Sequence, residues 1–266
     1  EDENPGRRWR RGLALGLALA AAASWLTLGG LALWFARPMT PAGPAPQTTT
    51  TASAAVEASK STPPVPSPDG PYPVAHLPGD VAAYDAPGGE PVGAVAGEWW
   101  GYPSILPVID QSDGFLLVRL QPRPNGSTAW IAADGVAITT TPYRIEIDLA
   151  TRRLRLLELG AVVMDVPALI GRPATPTPAG RFFVTMLQPG PSAGYGKLVL
   201  VLSAHSETID NWQGSGDAVS AIHGPLGDEA SIDNGVPITN GCVRLHMDDL
   251  NALAALVPPG APVDIA

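Results

Sequence analysis

Cys242 is the single cysteine in 266 residues and stands in the segment ITNGCVRL. A thiol can attack a carbonyl carbon when a neighbouring base takes its proton and polar groups stabilise the oxyanion that forms. The candidate base is His223 in AIHG, nineteen residues earlier, which can remove the thiol proton and later deliver it to a leaving amine. Gly241 lets the backbone come close to a substrate, so the amides around Cys242 can form an oxyanion hole. Arg244 projects to the same face as Cys242 if the segment is extended, and its fork can hold a substrate carboxylate bidentately. Two plainer readings fit the same residues. A free cysteine often packs as a small hydrophobe, and Asn240-Gly241 between apolar residues is a hairpin turn. His76, His205 and His246 show no metal-ligand spacing with Cys242. His76 is expected in an exposed opening loop, His205 and His246 on the polar surface, with His246 near enough in sequence to reach the same cleft.

These groups must be positioned by short elements, because 29 Gly and 30 Pro disfavour long helices. Tyr143, Ile145, Ile147 and Leu149 alternate with Arg144, Glu146 and Asp148, the pattern of a half-buried strand. Leu154 and Leu156 continue it after a turn, and further strands are expected over residues 161–166, 181–187 and 197–203. Asp248 or Asp249 is placed to cap a short helix that buries Leu250, Leu253, Ala254 and Val257, and Pro258-Pro259-Gly260 ends it. Upstream, residues 115–120 and 129–132 flank Asn125-Gly126, a hairpin signal. The stretch 71–139 therefore reads as a small antiparallel β-domain.

Residues 12–36 carry no charge, and as a helix would reach about 38 Å, enough to cross a bilayer. Arg7, Arg8, Arg10 and Arg11 precede the span and Arg37 alone follows closely. The positive-inside rule then puts the N-terminus in the cytoplasm and the remainder outside. A competing reading is a signal peptide cut after Ala21, Ala22 and Ala23; either reading exports the body. Residues 37–70 are rich in Pro, Thr, Ser and Ala and cannot bury enough apolar surface to order themselves, so they are expected to act as a tether. Residues 71–266 hold ten Lys/Arg against twenty Asp/Glu, the opposite of what phosphate neutralisation requires, so nucleic-acid binding is not expected.

IHG and TNGCVRL, with fifteen residues between His223 and Thr239, together resemble the catalytic signature of the L,D-transpeptidases. YRIEIDLATRRLRLLELG, IGRPATPTPAGRF, YGKLVLVLSAHSE and the final helix agree with the family in order along about 125 residues. The stretch VRLQPRPNGSTAWI resembles the bacterial Src-homology-type small barrels that precede wall-active enzymes. With the charge, hydropathy and composition of residues 1–70, the resemblance completes a mainly β architecture: a cytoplasmic basic tail (1–11), a membrane anchor (12–36), a linker (37–70), a small β-barrel-like domain (71–139), and a β-rich L,D-transpeptidase catalytic domain (140–266) with a short C-terminal helix. It implies Cys242 as nucleophile, His223 as base and acid, Gly241 and Cys242 as oxyanion donors, and Arg244, Thr239 and Asn240 as cleft lining that binds substrate. Many members carry a histidine where this chain has Asn240, which leaves a backbone carbonyl or Ser220 as candidates to orient His223. No metal or other cofactor is implied. The implied partners are peptidoglycan stem peptides, with the membrane held through residues 12–36. The alternative from another class is a non-catalytic wall-binding or scaffold protein outside the membrane. Sortases space His, Cys and Arg more widely, and papain-related endopeptidases place Cys before His.

Overall fold

The computed structural model describes residues 67–266. The expected tail, the span over 12–36 and nearly all of the linker lie outside the described residues. Among the described residues no helix is long and apolar enough to cross a membrane.

The first seven-stranded sheet is built from β1 (Tyr72–His76), β2 (Val81–Tyr84), β3 (Pro91–Val95), β6 (Ile105–Ser112), β7 (Phe115–Arg119), β8 (Thr128–Ala132) and β9 (Ala137–Thr141). Their order is β3-β2-β8-β7-β6-β1-β9. Between β3 and β6, β4 (Glu98–Trp99) and β5 (Tyr102–Pro103) form a separate two-stranded hairpin. The expected pairing across Asn125-Gly126 is present, with Leu116 opposite Ile131 and Val118 opposite Ala129. Leu106, Leu116, Val118 and Ile131 fill this sheet's core. His76 ends β1 instead of lying in a loop, and its ring meets the Thr139 hydroxyl at 2.7 Å.

Pro142 separates β9 from the second sheet. That sheet comprises β10 (Tyr143–Asp148), β11 (Arg153–Glu158), β12 (Ala161–Pro167), β13 (Gly180–Pro189), β14 (Leu198–His205), β15 (Val219–His223), β16 (Val243–Arg244) and β17 (Pro262–Ile265). The order is β12-β11-β10-β17-β13-β14-β15-β16. Helix α1 (Glu229–Asp233) lies between β15 and β16, and α2 (Met247–Leu256) follows β16. The alternation read along residues 143–149 is realised: Ile145 and Ile147 are buried while their neighbours in β10 are only partly so. They join Leu154, Leu156, Leu200, Leu202, Ile222 and Val243 in one core, which α2 covers with Leu250 and Leu253. His246, and not an aspartate, occupies the cap position of α2. Asp248 and Asp249 instead fall in its first turn, where their charge favours the positive end of the helix dipole.

His205 corrects the surface expectation, since it is 1% exposed. Its Nδ1 lies 2.7 Å from Asp217 and its Nε2 2.6 Å from the Gln121 carbonyl. The 121–125 loop between β7 and β8 grips this end of β14. Asn125 exchanges two hydrogen bonds with the His205 backbone. Arg123 donates to Asp217 at 2.9 Å and to the Ser206 and Ile209 carbonyls. Burial works against the Asp217 carboxylate, but the Ala218 amide, the Arg123 hydrogen bond and the charges of His205 and Arg123 together hold its pKa below the ordinary value. Arg123→Ala leaves Asp217 and two carbonyls short of a donor. It is expected to cost about 1–2 kcal/mol, hence to lower Tm by roughly 2–8 °C for a domain of this size. Calorimetry checks this, and an unchanged Tm removes the clamp role.

Candidate active site

His223 ends β15 and Cys242 immediately precedes β16, which runs parallel to β15 with Ile222 opposite Val243 and His223 opposite Arg244. Carrying the register back one residue puts Cys242 beside Ala221. Alternation then turns Ala221, His223, Cys242 and Arg244 to one face of the sheet. Strand spacing sets the His223 and Cys242 Cα atoms about 8 Å apart, close enough for the side chains to approach. Two segments distant in sequence thus deliver base, thiol and guanidinium to one place because β16 adds to the sheet edge.

The His223 ring is fixed by its own neighbour. Nδ1 lies 2.8 Å from the Gly224 carbonyl, which can only accept, so Nδ1 carries the hydrogen and Nε2 keeps its lone pair. The candidate orienting group is therefore a backbone carbonyl and not Ser220. Gly224 is demanded by packing: a Cβ there would stand 2.5 Å from the Gly194 carbonyl oxygen and 2.8 Å from Met247. That closeness brings the 3-10 turn Ala193–Tyr195 over the base, and the Tyr195 ring sits 4.7 Å from the imidazole centroid at 41°. His223 is buried. Burial, with a smaller contribution from the nearby Arg244 charge, lowers its pKa from 6.5 to about 4 against the opposing Gly224 hydrogen bond. Cys242 is partly exposed, yet burial pushes its thiol up, opposed by a backbone hydrogen bond from Ala221 and the Arg244 charge. The resting site therefore holds a neutral imidazole and a protonated thiol at neutral pH. That suits base-assisted attack and not a preformed thiolate–imidazolium pair.

The turn before the thiol is braced from inside. Gly241 has φ +112°, a left-handed geometry that glycine accepts without strain. Thr239, expected to line the cleft, is 1% exposed. Its hydroxyl donates to the Cys242 carbonyl at 2.6 Å and accepts from the Gly241 amide at 3.1 Å. The Gly241 N–H expected in the oxyanion hole is thus already committed in this state. Thr177 adds a second brace, donating to the Gly241 carbonyl at 3.0 Å while accepting from the Gly171 amide. Asn240 lies on the rim, where its Oδ1 accepts from Arg172 and Thr175. Arg172, Thr177 and Tyr195 were not legible as site residues in the sequence, because each reaches the site from another segment.

Arg244 is not a free clamp. Its Nη1 donates to Asp228 and, at 3.5 Å, to the Pro225 carbonyl, tying the loop after His223 to the strand after Cys242. Its buried Nε meets no acceptor among the described residues. His246 pairs with Asp233 of α1 at 2.8 Å. Among the described residues, no three His, Cys, Asp or Glu side chains converge as metal ligands.

Residues 142–265 match the family model described as the L,D-transpeptidase catalytic domain. The YkuD protein of Bacillus licheniformis, assigned to the L,D-transpeptidases, is 35% identical over 126 residues, covering 47% of this chain and 67% of that protein. The chain belongs to the L,D-transpeptidase family. The Bacillus subtilis YkuD protein is 29% identical over 152 residues, covering 55% of this chain and 83% of that one. Among solved structures, an L,D-transpeptidase from Mycobacterium smegmatis aligns with a TM-score of 0.37 at 15% identity, over 59% of this chain and 79% of that chain. In this family member the catalytic-domain match begins at Pro142, immediately before β10, so the first sheet lies outside it.

Proposed function

We propose that this chain is a peptidoglycan L,D-transpeptidase that uses Cys242 as nucleophile and His223 as base and acid. The shared face that carries thiol, imidazole and guanidinium across β15 and β16 supports this reading most directly. Nε2 of His223 takes the thiol proton as sulfur attacks the carbonyl after the L-centre of diaminopimelate in a tetrapeptide stem. The Cys242 amide stabilises the oxyanion, and the Gly241 amide joins it by releasing the Thr239 hydroxyl. Collapse breaks the C–N bond, His223 passes the proton to the departing D-Ala amine, and a thioester remains. A side-chain amine of a second stem attacks the thioester, His223 takes its proton and returns it to sulfur, and a cross-link between two diaminopimelate residues is released. Neutral His223 is ready for both steps.

Residues 12–36 are proposed to anchor the chain, with residues 37–70 as a tether and the body outside the membrane. The first sheet is proposed as a separate small barrel-like domain. The test of function is purified protein with a disaccharide-tetrapeptide. Free D-Ala and a dimer lighter by one alanine residue plus water than two monomers are expected, and absence of both products overturns the reading.

Arg244 is proposed to recognise a substrate carboxylate through the part of its fork that Asp228 leaves open. Arg244→Ala should lower kcat/KM roughly 30- to 1,000-fold, with Lys recovering only part because an ammonium lacks the planar fork. Its partly buried pairing with Asp228 and Pro225 means Tm should also fall, by roughly 2–4 °C for about 1 kcal/mol. Asp228→Ala separates the two roles: a similar drop in Tm with less than a tenfold loss of kcat/KM is expected. Equal kinetic losses in Asp228→Ala and Arg244→Ala would make Arg244 a loop anchor only.

A further inference from the structure

The hairpin of β4 and β5 has a costly tip. Trp99 pairs with Tyr102, and Trp100 and Gly101 make the turn with φ of 52° and 78°. Two positive φ values define a turn that Asn-Gly or Gly-Gly makes most cheaply, and a bulky aromatic is strained there. Trp100 is nevertheless at this position, 51% exposed, with its ring nearly parallel to that of Trp99 at 5.8 Å and 17°. A residue that breaks the local rule of its turn while leaving half its surface in water points to a function outside the fold.

The hairpin is also joined to the site. Trp99 and Tyr102 pack with Tyr195, Val219 and Ala221 on Met186, Val199 and Val201. Tyr195 covers His223, and Ala221 lies two residues, about 7 Å, before His223 on its own strand. The aromatic surface thus continues from the solvent-facing indole of Trp100 toward the base.

From this placement we infer that the Trp99–Trp100 pair is a carbohydrate platform that receives the glycan strand carrying the stem peptide. This inference rests on the wall-substrate reading above and extends it to the sugar. A flat, doubly stacked indole offers an apolar face to the C–H face of a pyranose ring while the sugar hydroxyls stay in water. Residues 71–266 carry twenty acidic against ten basic side chains, which opposes an anionic partner but not a neutral sugar.

The experiment is calorimetric titration of the full chain with neutral oligomers of N-acetylglucosamine, which carry neither stem peptide nor carboxylate. Wild type and Cys242→Ala are expected to bind alike. Trp100→Asn, which suits the turn better than Trp, should keep or raise Tm and weaken binding at least tenfold, whereas Trp100→Phe should retain most of the affinity. On glycan-linked stems the Trp100→Asn loss should appear in KM. No binding by wild type, or equal binding by Trp100→Asn, overturns the platform. Loss in Trp100→Asn of binding to free stem peptide instead of glycan overturns the sugar assignment. Failure of the transpeptidase reading shows separately, as absence of D-Ala release with glycan binding intact.

Discussion

Cys242→Ser is expected to abolish D-Ala release, with a loss on the order of 10⁴-fold or more, as for removal of other catalytic nucleophiles. The substitution is nearly isosteric, so the fold should persist with Tm within about 2 °C of wild type. The chemical reason lies in the site's bias against anions. Burial already raises the thiol pKa despite the Ala221 hydrogen bond and the Arg244 charge. A hydroxyl is far less acidic than a thiol, so the same surroundings leave it essentially un-ionised. The neutral, weakly basic His223 cannot make up that difference. Intact-protein mass spectrometry after exposure to tetrapeptide stem should find an acyl adduct on wild type and none on Cys242→Ser or Cys242→Ala. Full cross-linking by both variants would make the thiol structural.

Much of the catalytic sheet was legible because its signals are local. Period-two alternation marked Tyr143–Asp148, and the apolar run over residues 197–203 marked a strand. Seven of the eight residues of β14 are buried. That continuous burial also held the signal for His205: the strand runs two residues past the expected end, and its last side chain meets Asp217 and Gln121. Cys242 and His223 could be read as a pair from residue type and order, though the sheet edge that joins them could not. The bracing contacts of Thr239 and Arg244 were not legible for one physical reason. Motif residues near a nucleophile look equally suited to contacting substrate or bracing its loop, and only the fold shows that Thr239 faces inward onto its own turn and that Asp228, sixteen residues upstream, meets Arg244. The β4–β5 hairpin gave no periodic signal, since two residues a side are too few to alternate.

His223→Gln should reduce kcat/KM by roughly 10²- to 10⁴-fold, the span ordinarily supplied by general acid–base catalysis. The accompanying pH dependence distinguishes a base from a merely packed ring. Catalysis needs neutral His223 and protonated Cys242 thiol at the outset. With the imidazole pKa lowered to about 4, the acid limb of kcat/KM should lie near pH 4 instead of near 6.5, and that limb should vanish in His223→Gln. Stability carries the same signature. The folded state holds His223 neutral down to about pH 4, whereas the unfolded chain protonates it near 6.5. Between those values the unfolded state binds more protons, and stability falls as pH falls. For this group alone the loss by pH 4 is about 3 kcal/mol, so denaturant titrations at pH 7 and pH 4 should differ less for His223→Gln than for wild type by about that amount. An acid limb that stays near pH 6.5 would place the titrating base in water-accessible surroundings. Its persistence in His223→Gln would assign the proton transfer to another residue.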